Sequence, residues 1–219
     1  MATALGERAQ AAVTAMIDEP LVLVVDDDDG MRDGVRDVLL SVGIASLGFA
    51  STSELLAEPL PDRPGCLILD VRLPGLSGLD LQSKLNGMGN KLPIVFMTGH
   101  ADVPMSVRAM KAGATDFLTK PFRDQEMLDA VAVAIERDRA RRQELVAANE
   151  VVRFASSLTP RELEVMDAVV KGLLNKQIAH ELSISEVTVK IHRGNLMRKM
   201  NATSVADLVR KVEVLKSLA

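Results

Sequence analysis

The chain has 219 residues, 47% of them apolar, and a formal net charge of −4, a length that favours two domains over one small core. No run of about 18 apolar residues occurs, which excludes a membrane-spanning helix. The single cysteine, Cys66, excludes an internal disulfide and fits a reducing cytoplasm, and a chain without Trp or Tyr is not a platform for stacking single-stranded bases.

Residues 1–19 hold Glu7, Arg8, Asp18 and Glu19 without a basic start or an unbroken apolar core, so they read as a loose Ala-rich tail or an extra helix rather than a secretory signal. Apolar strand candidates follow at 21–25, 45–49, 66–69, 94–97 and 116–118. Helix-like stretches near 31–41, 51–58, 77–87 and 103–112 separate them, and another starts at Asp124. Strict βα alternation predicts an α/β domain: a doubly wound, five-stranded parallel sheet of order 2-1-3-4-5, spanning residues 20–135.

Residues 136–155 crowd Glu136, Arg137, Asp138, Arg139, Arg141, Arg142 and Glu144 together without Gly or Pro, the pattern of a solvated helical linker. Residues 156–219 then read as an all-α domain of four helices. Thr159-Pro160-Arg161-Glu162 is an N-cap, a first-turn proline and a reciprocal capping partner. The helix it starts runs to about Val170; a second covers about Lys176 to Glu181, a third, capped by Ser185, runs to about Met200, and a fourth starts at Ser204. A tight turn between the second and third predicts a helix-turn-helix.

Charge separates the two parts. Residues 1–155 carry 16 Lys and Arg against 23 Asp and Glu, a net of −7, whereas residues 156–219 carry 10 against 7, a net of +3. The small C-terminal domain is therefore the one suited to a polyanion.

The stretch CLILDVRLPG, Cys66 to Gly75, runs four apolar residues into Asp70. A run so short, bounded by Pro-Gly on either side, predicts a strand buried on both faces with Asp70 at its carboxyl end, where open α/β sheets place their ligands. The first strand ends in Asp26 to Asp29, and in the order 2-1-3-4-5 it lies beside the third. Carboxylates so crowded call for a counter-charge, most naturally Mg²⁺ with its preference for oxygen ligands; Asp28 and Asp29 suit the cap of the following helix. Thr98 ends the fourth strand and Lys120 follows the fifth, which adds a hydroxyl and an ammonium at the same edge. The set suits phosphate on Asp70, with the carboxylate as nucleophile and Lys120 and Mg²⁺ offsetting the developing charge.

The segments VVDDDDGMR, LDVRLPGLSG, MTGHADV and ATDFLTKPF resemble the motifs of response-regulator receiver domains over roughly residues 20–138. The resemblance implies that Asp70 is the phosphoacceptor, that Asp27 and Asp70 ligate Mg²⁺ directly, that Asp26 assists through water, and that the carbonyl of Arg72 completes the metal site. It further implies that Thr98 and Phe117 are a hydroxyl and aromatic switch pair, that Lys120 contacts the phosphate, and that the bond before Pro121 is cis.

In the third C-terminal helix, a rotation of about 100° per residue puts Val189, His192, Leu196 and Met200 on the core face. Val187, Lys190, Ile191, Gly194 and Arg198 point the other way, flanked by Thr188, Arg193, Asn195 and Lys199. In the basic part of the chain, after a tight turn, this face suits a DNA major groove. Lys190 and Asn195 are placed for base edges and Arg193, Arg198 and Lys199 for phosphates; Lys176 adds a phosphate contact. His192 serves as a wedge or a phosphate contact.

The segments LTPRELEV, GLLNKQIAHEL and ISEVTVKIHRGNLMRKM resemble the LuxR-type helix-turn-helix of the FixJ/NarL family over about residues 156–219. Gly194 departs from that pattern, where a long or charged residue is commoner, and costs about 1 kcal/mol of helix propensity.

Together the two resemblances imply a two-component response regulator, not an enzyme with a substrate of its own. A sensor histidine kinase phosphorylates it, it forms a homodimer through the face around Val103 to Phe117, and it binds double-stranded DNA to regulate transcription in the cytoplasm. Val205, Val209 and Val212 suit either a second dimer contact or the core. Two rival readings are a Mg²⁺-dependent phosphatase working through an aspartyl intermediate, and a DNA-binding protein whose receiver never uses phosphate. Arg72, where a hydrolase of that kind would carry a second carboxylate, argues against the first.

Overall fold

The structure, a computed structural model, describes residues 19–99 and 102–218. The tail or extra helix expected before residue 19 lies outside the described residues. Contacts divide the chain into two compact units, the first ending at Arg142 and the second beginning at Gln143.

In the first unit the strands are β1 (Leu21–Val25), β2 (Ala45–Phe49), β3 (Gly65–Asp70), β4 (Ile94–Thr98) and β5 (Asp116–Thr119). All neighbours are parallel and the order is β2-β1-β3-β4-β5, as the alternation predicts. The intervening helices are α1 (Asp29–Ser41), α2 (Thr52–Ala57), α3 (Gly78–Gly87) and α4 (Val103–Lys111), and α5 (Asp124–Ser156) follows β5.

Period-two side chains give the sheet two apolar faces. Leu23, Val25, Leu67, Leu69 and Phe96 point to one core, with Leu55, Leu81 and Leu85. Val22, Val24, Cys66, Ile68 and Met97 point to the other, where α1 brings Val35 and Leu39. On α5, Met127, Ala130, Val131, Ala134 and Ile135 make an i, i+3, i+4, i+7, i+8 stripe against that second face. Every residue of β3 is buried, which fits its uninterrupted apolar run. Cys66 is a packing residue whose thiol burial pushes up to about 12.

Two glycines allow close approaches that fix the rim of the sheet. A Cβ on Gly78 would lie 2.3 Å from the Asp70 carbonyl oxygen, and one on Gly65 would lie 2.0 Å from the Leu21 carbonyl oxygen. Glycine is required at both places, because backbone cannot yield as a flexible side chain does.

The charged run after residue 135 is not solvated throughout. Asp138 is fully buried: its carboxylate accepts from the Gly65 amide at 3.2 Å, from Arg141 Nη2 at 2.6 Å and from Arg142 Nε at 2.8 Å. Two guanidiniums three and four residues along the same helix supply the counter-charge that makes burial of an acid tolerable. The first unit accordingly continues to Arg142.

The second unit holds the end of α5 and four further helices: α6 (Pro160–Val170), α7 (Asn175–Glu181), α8 (Glu186–Lys199) and α9 (Val205–Ser217). Val165, Val169, Ile178, Val189, Leu196, Met200, Leu208 and Val212 form its core. The α7–α8 turn passes through Ser183 with φ of 54°, after which the Ser185 hydroxyl accepts from the Thr188 amide and caps α8. Of Val205, Val209 and Val212 on α9, Val212 is core, Val209 half-buried and Val205 exposed.

Candidate functional site

The parallel register carries β1, β3, β4 and β5 to one carboxyl edge: Val25 pairs with Leu69, Asp70 with Met97 and Thr98 with Thr119. Asp26, immediately after β1, is fully buried; Asp70 is buried at the end of β3, and Asp27 is exposed beside them. Each offers a carboxylate oxygen within 4.8 Å of the other two. Lys120 Nζ bridges the pair below, 2.6 Å from Asp26 Oδ2 and 2.9 Å from Asp70 Oδ2. The remaining oxygens are oriented by backbone: Asp26 Oδ1 accepts from the Asp28 amide and Asp70 Oδ1 from the Arg72 amide, both at 3.0 Å.

Burial pushes the Asp26 carboxyl up, against the lowering effect of its hydrogen bond with Lys120. For Lys120, burial works against the ammonium, but the hydrogen bonds to Asp26 and Asp70 outweigh it and hold the group above its ordinary value. Three carboxylates thus face one ammonium. Like charges about 4 Å apart repel by about 4 kcal/mol at an effective dielectric of about 20, so the uncompensated negative charge and the all-oxygen donor set fit a hard divalent cation.

The neighbouring residues complete the edge. Thr98 is fully buried, and its carbonyl accepts from the Lys120 amide at 2.8 Å. Phe117 is half-buried on β5 with its ring centroid 6.2 Å from that of Phe96. The Lys120–Pro121 bond is cis. Asp28 caps α1 by accepting from the Met31 amide at 2.8 Å, and Asp29 pairs with Arg32. Sequence reasoning missed Arg32 itself, whose Nη1 donates to the Asp26 carbonyl at 2.8 Å. No local spacing announces that bond, because it crosses from the helix back to the strand end.

Val189 and Leu196 on α8 and Met200 at its C-cap are fully buried, and His192 is half-buried. Lys190, Ile191, Gly194 and Arg198 are exposed, as is Lys176 on α7. Several polar groups of the reading face are already held in place. Arg193 Nη1 donates to Asn175 Oδ1 at 2.8 Å, Arg198 Nη2 to Asn195 Oδ1 at 3.0 Å, and the Thr188 and Ser185 hydroxyls meet at 2.8 Å.

Lys199 is placed differently from its expected position at a phosphate. Its ammonium lies 2.7 Å from Glu162 Oε2 and 3.0 Å from the Ser157 carbonyl oxygen, which ties α8 to the start of α6. The cause is Glu162, a 3% exposed carboxylate that also accepts from the Thr159 amide at 2.8 Å and needs a counter-charge. The Lys199 hydrogen bond, and then that of the Thr159 amide, outweigh burial and hold the Glu162 carboxyl at about 2, below its ordinary 4.5.

A depressed carboxyl contributes stability that is complete above its unfolded pKa and is lost as pH falls through the folded one. The α6–α8 packing therefore weakens as pH drops from about 4.5 to about 2. In Glu162→Gln, amide hydrogen exchange in α6 should be faster at neutral pH and should lose its pH dependence in that window. Wild-type dependence retained in the variant would refute the assignment.

A parallel sheet with an acidic rim and a lysine bridge, followed by a helix-turn-helix, defines a response regulator with a DNA-binding output domain. Residues 22–132 match the family described as response regulator receiver domain, and residues 156–212 match bacterial regulatory proteins of the luxR family. The chain belongs to the two-component response regulators of the FixJ type, with a receiver and a LuxR-type DNA-binding domain. It is 50% identical over 208 residues to nodulation protein W of Bradyrhizobium diazoefficiens, covering 95% of this chain and 92% of that one. It is 40% identical over 190 residues to the transcriptional regulatory protein FixJ of the same organism, covering 86% and 92%. The solved structure of the response regulator StyR matches with a TM-score of 0.80 at 48% identity, over 89% of this chain and 98% of that one. Receiver domains generally bind Mg²⁺ at an acidic pocket, and the family implies a histidine kinase partner and DNA binding. Among the described residues no helix is long and apolar enough to cross a membrane.

Proposed function

We propose that a sensor histidine kinase phosphorylates this chain on Asp70, and that the phosphate controls homodimerisation and sequence-specific binding to double-stranded DNA, regulating transcription in the cytoplasm. The observation that carries the reading is Lys120 Nζ bridging Asp26 and Asp70, with a third carboxylate within 4.8 Å. An Asp70 oxygen attacks phosphorus, the bond to the donor nitrogen breaks, and the imidazole leaves with the electron pair. Asp26, Asp27, Asp70 and the Arg72 carbonyl would hold Mg²⁺, which neutralises charge on the transferred group. Lys120 stabilises the same charge from the protein side. The new charge and acceptor oxygens draw on the Thr98 hydroxyl, and Phe117 turns with it.

In the output domain, Lys190, Asn195 and Ile191 meet base edges, and Lys176, Thr188, Arg193, Arg198 and His192 meet phosphates or the groove wall. Residues 20–135 act as the receiver, 136–155 as the linker and 156–219 as the DNA-binding domain. The hydrogen bond from the Gly65 amide to Asp138 supports a linker whose first turn packs with the receiver.

Selection from a random DNA pool, with and without a small phosphodonor and Mg²⁺, tests the whole reading. Phosphodonor should enrich a pair of half-sites at fixed spacing, and Lys190→Ala should cost about 1–3 kcal/mol of specific binding. Equal enrichment in both arms would refute control by phosphate.

A further inference from the structure

At the amino-terminal edge of the sheet, opposite the acidic rim, the first unit holds a second polar cavity of about 350 Å³, and Pro61, Asp62, Asn90, Lys91, Arg141 and Arg142 line it. Three cations face one carboxylate within the cavity. Asp138 lies behind the wall, where it engages Nε and Nη2 of Arg141 and Nε of Arg142. That contact fixes both guanidiniums, so they are preorganised rather than mobile. Arg142 Nη1 meets Asp62 Oδ1 at 2.6 Å, yet the Asp62 side chain is 98% exposed. A pair open to solvent on one side contributes little, and a better anion can replace it. Lys91 is exposed and has no ion-pair partner among the described residues.

We propose that this cavity is a binding site for a small oxyanion of the phosphate class, with room for a diphosphate, which takes the place of the Asp62 carboxylate on Arg142 and is gripped from the other side by Lys91. The chemistry follows from the donors. A planar guanidinium fork and a point ammonium across a gap match the spread oxygens of a phosphate group. The site serves neither the aspartate chemistry nor the reading helix. Its effect on the protein is a new tie between the α3–β4 loop, which carries Lys91, and α5 at Arg142, where the first unit ends.

Calorimetric titration of the full chain in the absence of Mg²⁺ tests the site, with inorganic phosphate, pyrophosphate and ADP in separate arms. Pyrophosphate should bind saturably; binding by ADP as well extends the site to nucleotide diphosphates, and its failure restricts the site to the free anion. Lys91→Glu, an exposed change that leaves the fold intact, should weaken pyrophosphate by about tenfold or more. Asp62→Asn should tighten it by about threefold, because the competing carboxylate is gone. Asp33→Asn, which removes the same charge from the first turns of α1, should change nothing. No saturable binding, unchanged binding in Lys91→Glu, or equal gains from Asp62→Asn and Asp33→Asn would each overturn the proposal.

Discussion

Asp70→Asn should incorporate no phosphate from a small phosphodonor under conditions that label the wild-type chain fully. The substitution changes one atom and nearly preserves shape, so the carbonyl oxygen still accepts from the Arg72 amide as Asp70 Oδ1 does at 3.0 Å. What it removes is the anionic nucleophile: a carboxamide oxygen is not ionised, and its attack on phosphorus leaves no stable acyl phosphate. The loss should exceed about a hundredfold, on the scale of removing a covalent nucleophile rather than trimming a contact. Intact-mass measurement of the phosphorylated species, with circular dichroism to show the fold retained, reads both quantities. A label that persists at the wild-type rate would place the acceptor elsewhere and remove the basis of the proposed switch.

Lys120→Met should have two separable effects. The ammonium is 15% exposed and lies between carboxylates of 1% and 11% exposure, so its loss leaves two buried anions facing each other without compensation. Removing one partner of such a cluster costs about 3–5 kcal/mol, a large part of the stability of a small domain. Thermal unfolding without divalent cation should therefore show a marked fall. Millimolar Mg²⁺ should restore more stability in the variant than it adds to the wild type, because among the described residues no cation other than Lys120 pairs with these two acids. Phosphate acceptance should stay low even with Mg²⁺ present, since the ammonium that faces the transferred group is missing. If cation stabilised both proteins equally, the acids would not be sharing a charge deficit.

Much of this architecture was legible because a parallel βα chain writes its site at strand ends. The apolar run into Asp70, the acids after Val25, the hydroxyl after Met97 and the lysine before Pro121 are each local patterns, and the sheet order brings them to one edge. The capping residues Asp28, Thr159, Ser185 and Ser204 were legible for the same reason, since a cap satisfies amides within the next turn. The partners that were not legible are separated in sequence by packing. Asp138 reads as one more solvated acid until the Gly65 amide, 73 positions away, meets it. Lys199 reads as a free cation on a reading face until Glu162, 37 positions earlier, needs its charge. Periodicity reports which face of a helix turns inward; it does not report which polar group will already be waiting there.

The placement of Asp70 on β3 has a mechanical consequence. β3, like β1 and β4, has a strand on either side, and every one of its residues is buried, which makes it a stiff beam of the sheet. β5 is a border strand with β4 as its single strand neighbour, and Phe117 on it is half-buried. A load is relieved by the most compliant part of a frame, so under the proposed phosphorylation the strand expected to yield to a charge added at Asp70 is β5, whose following residue Lys120 reaches that carboxylate at 2.9 Å.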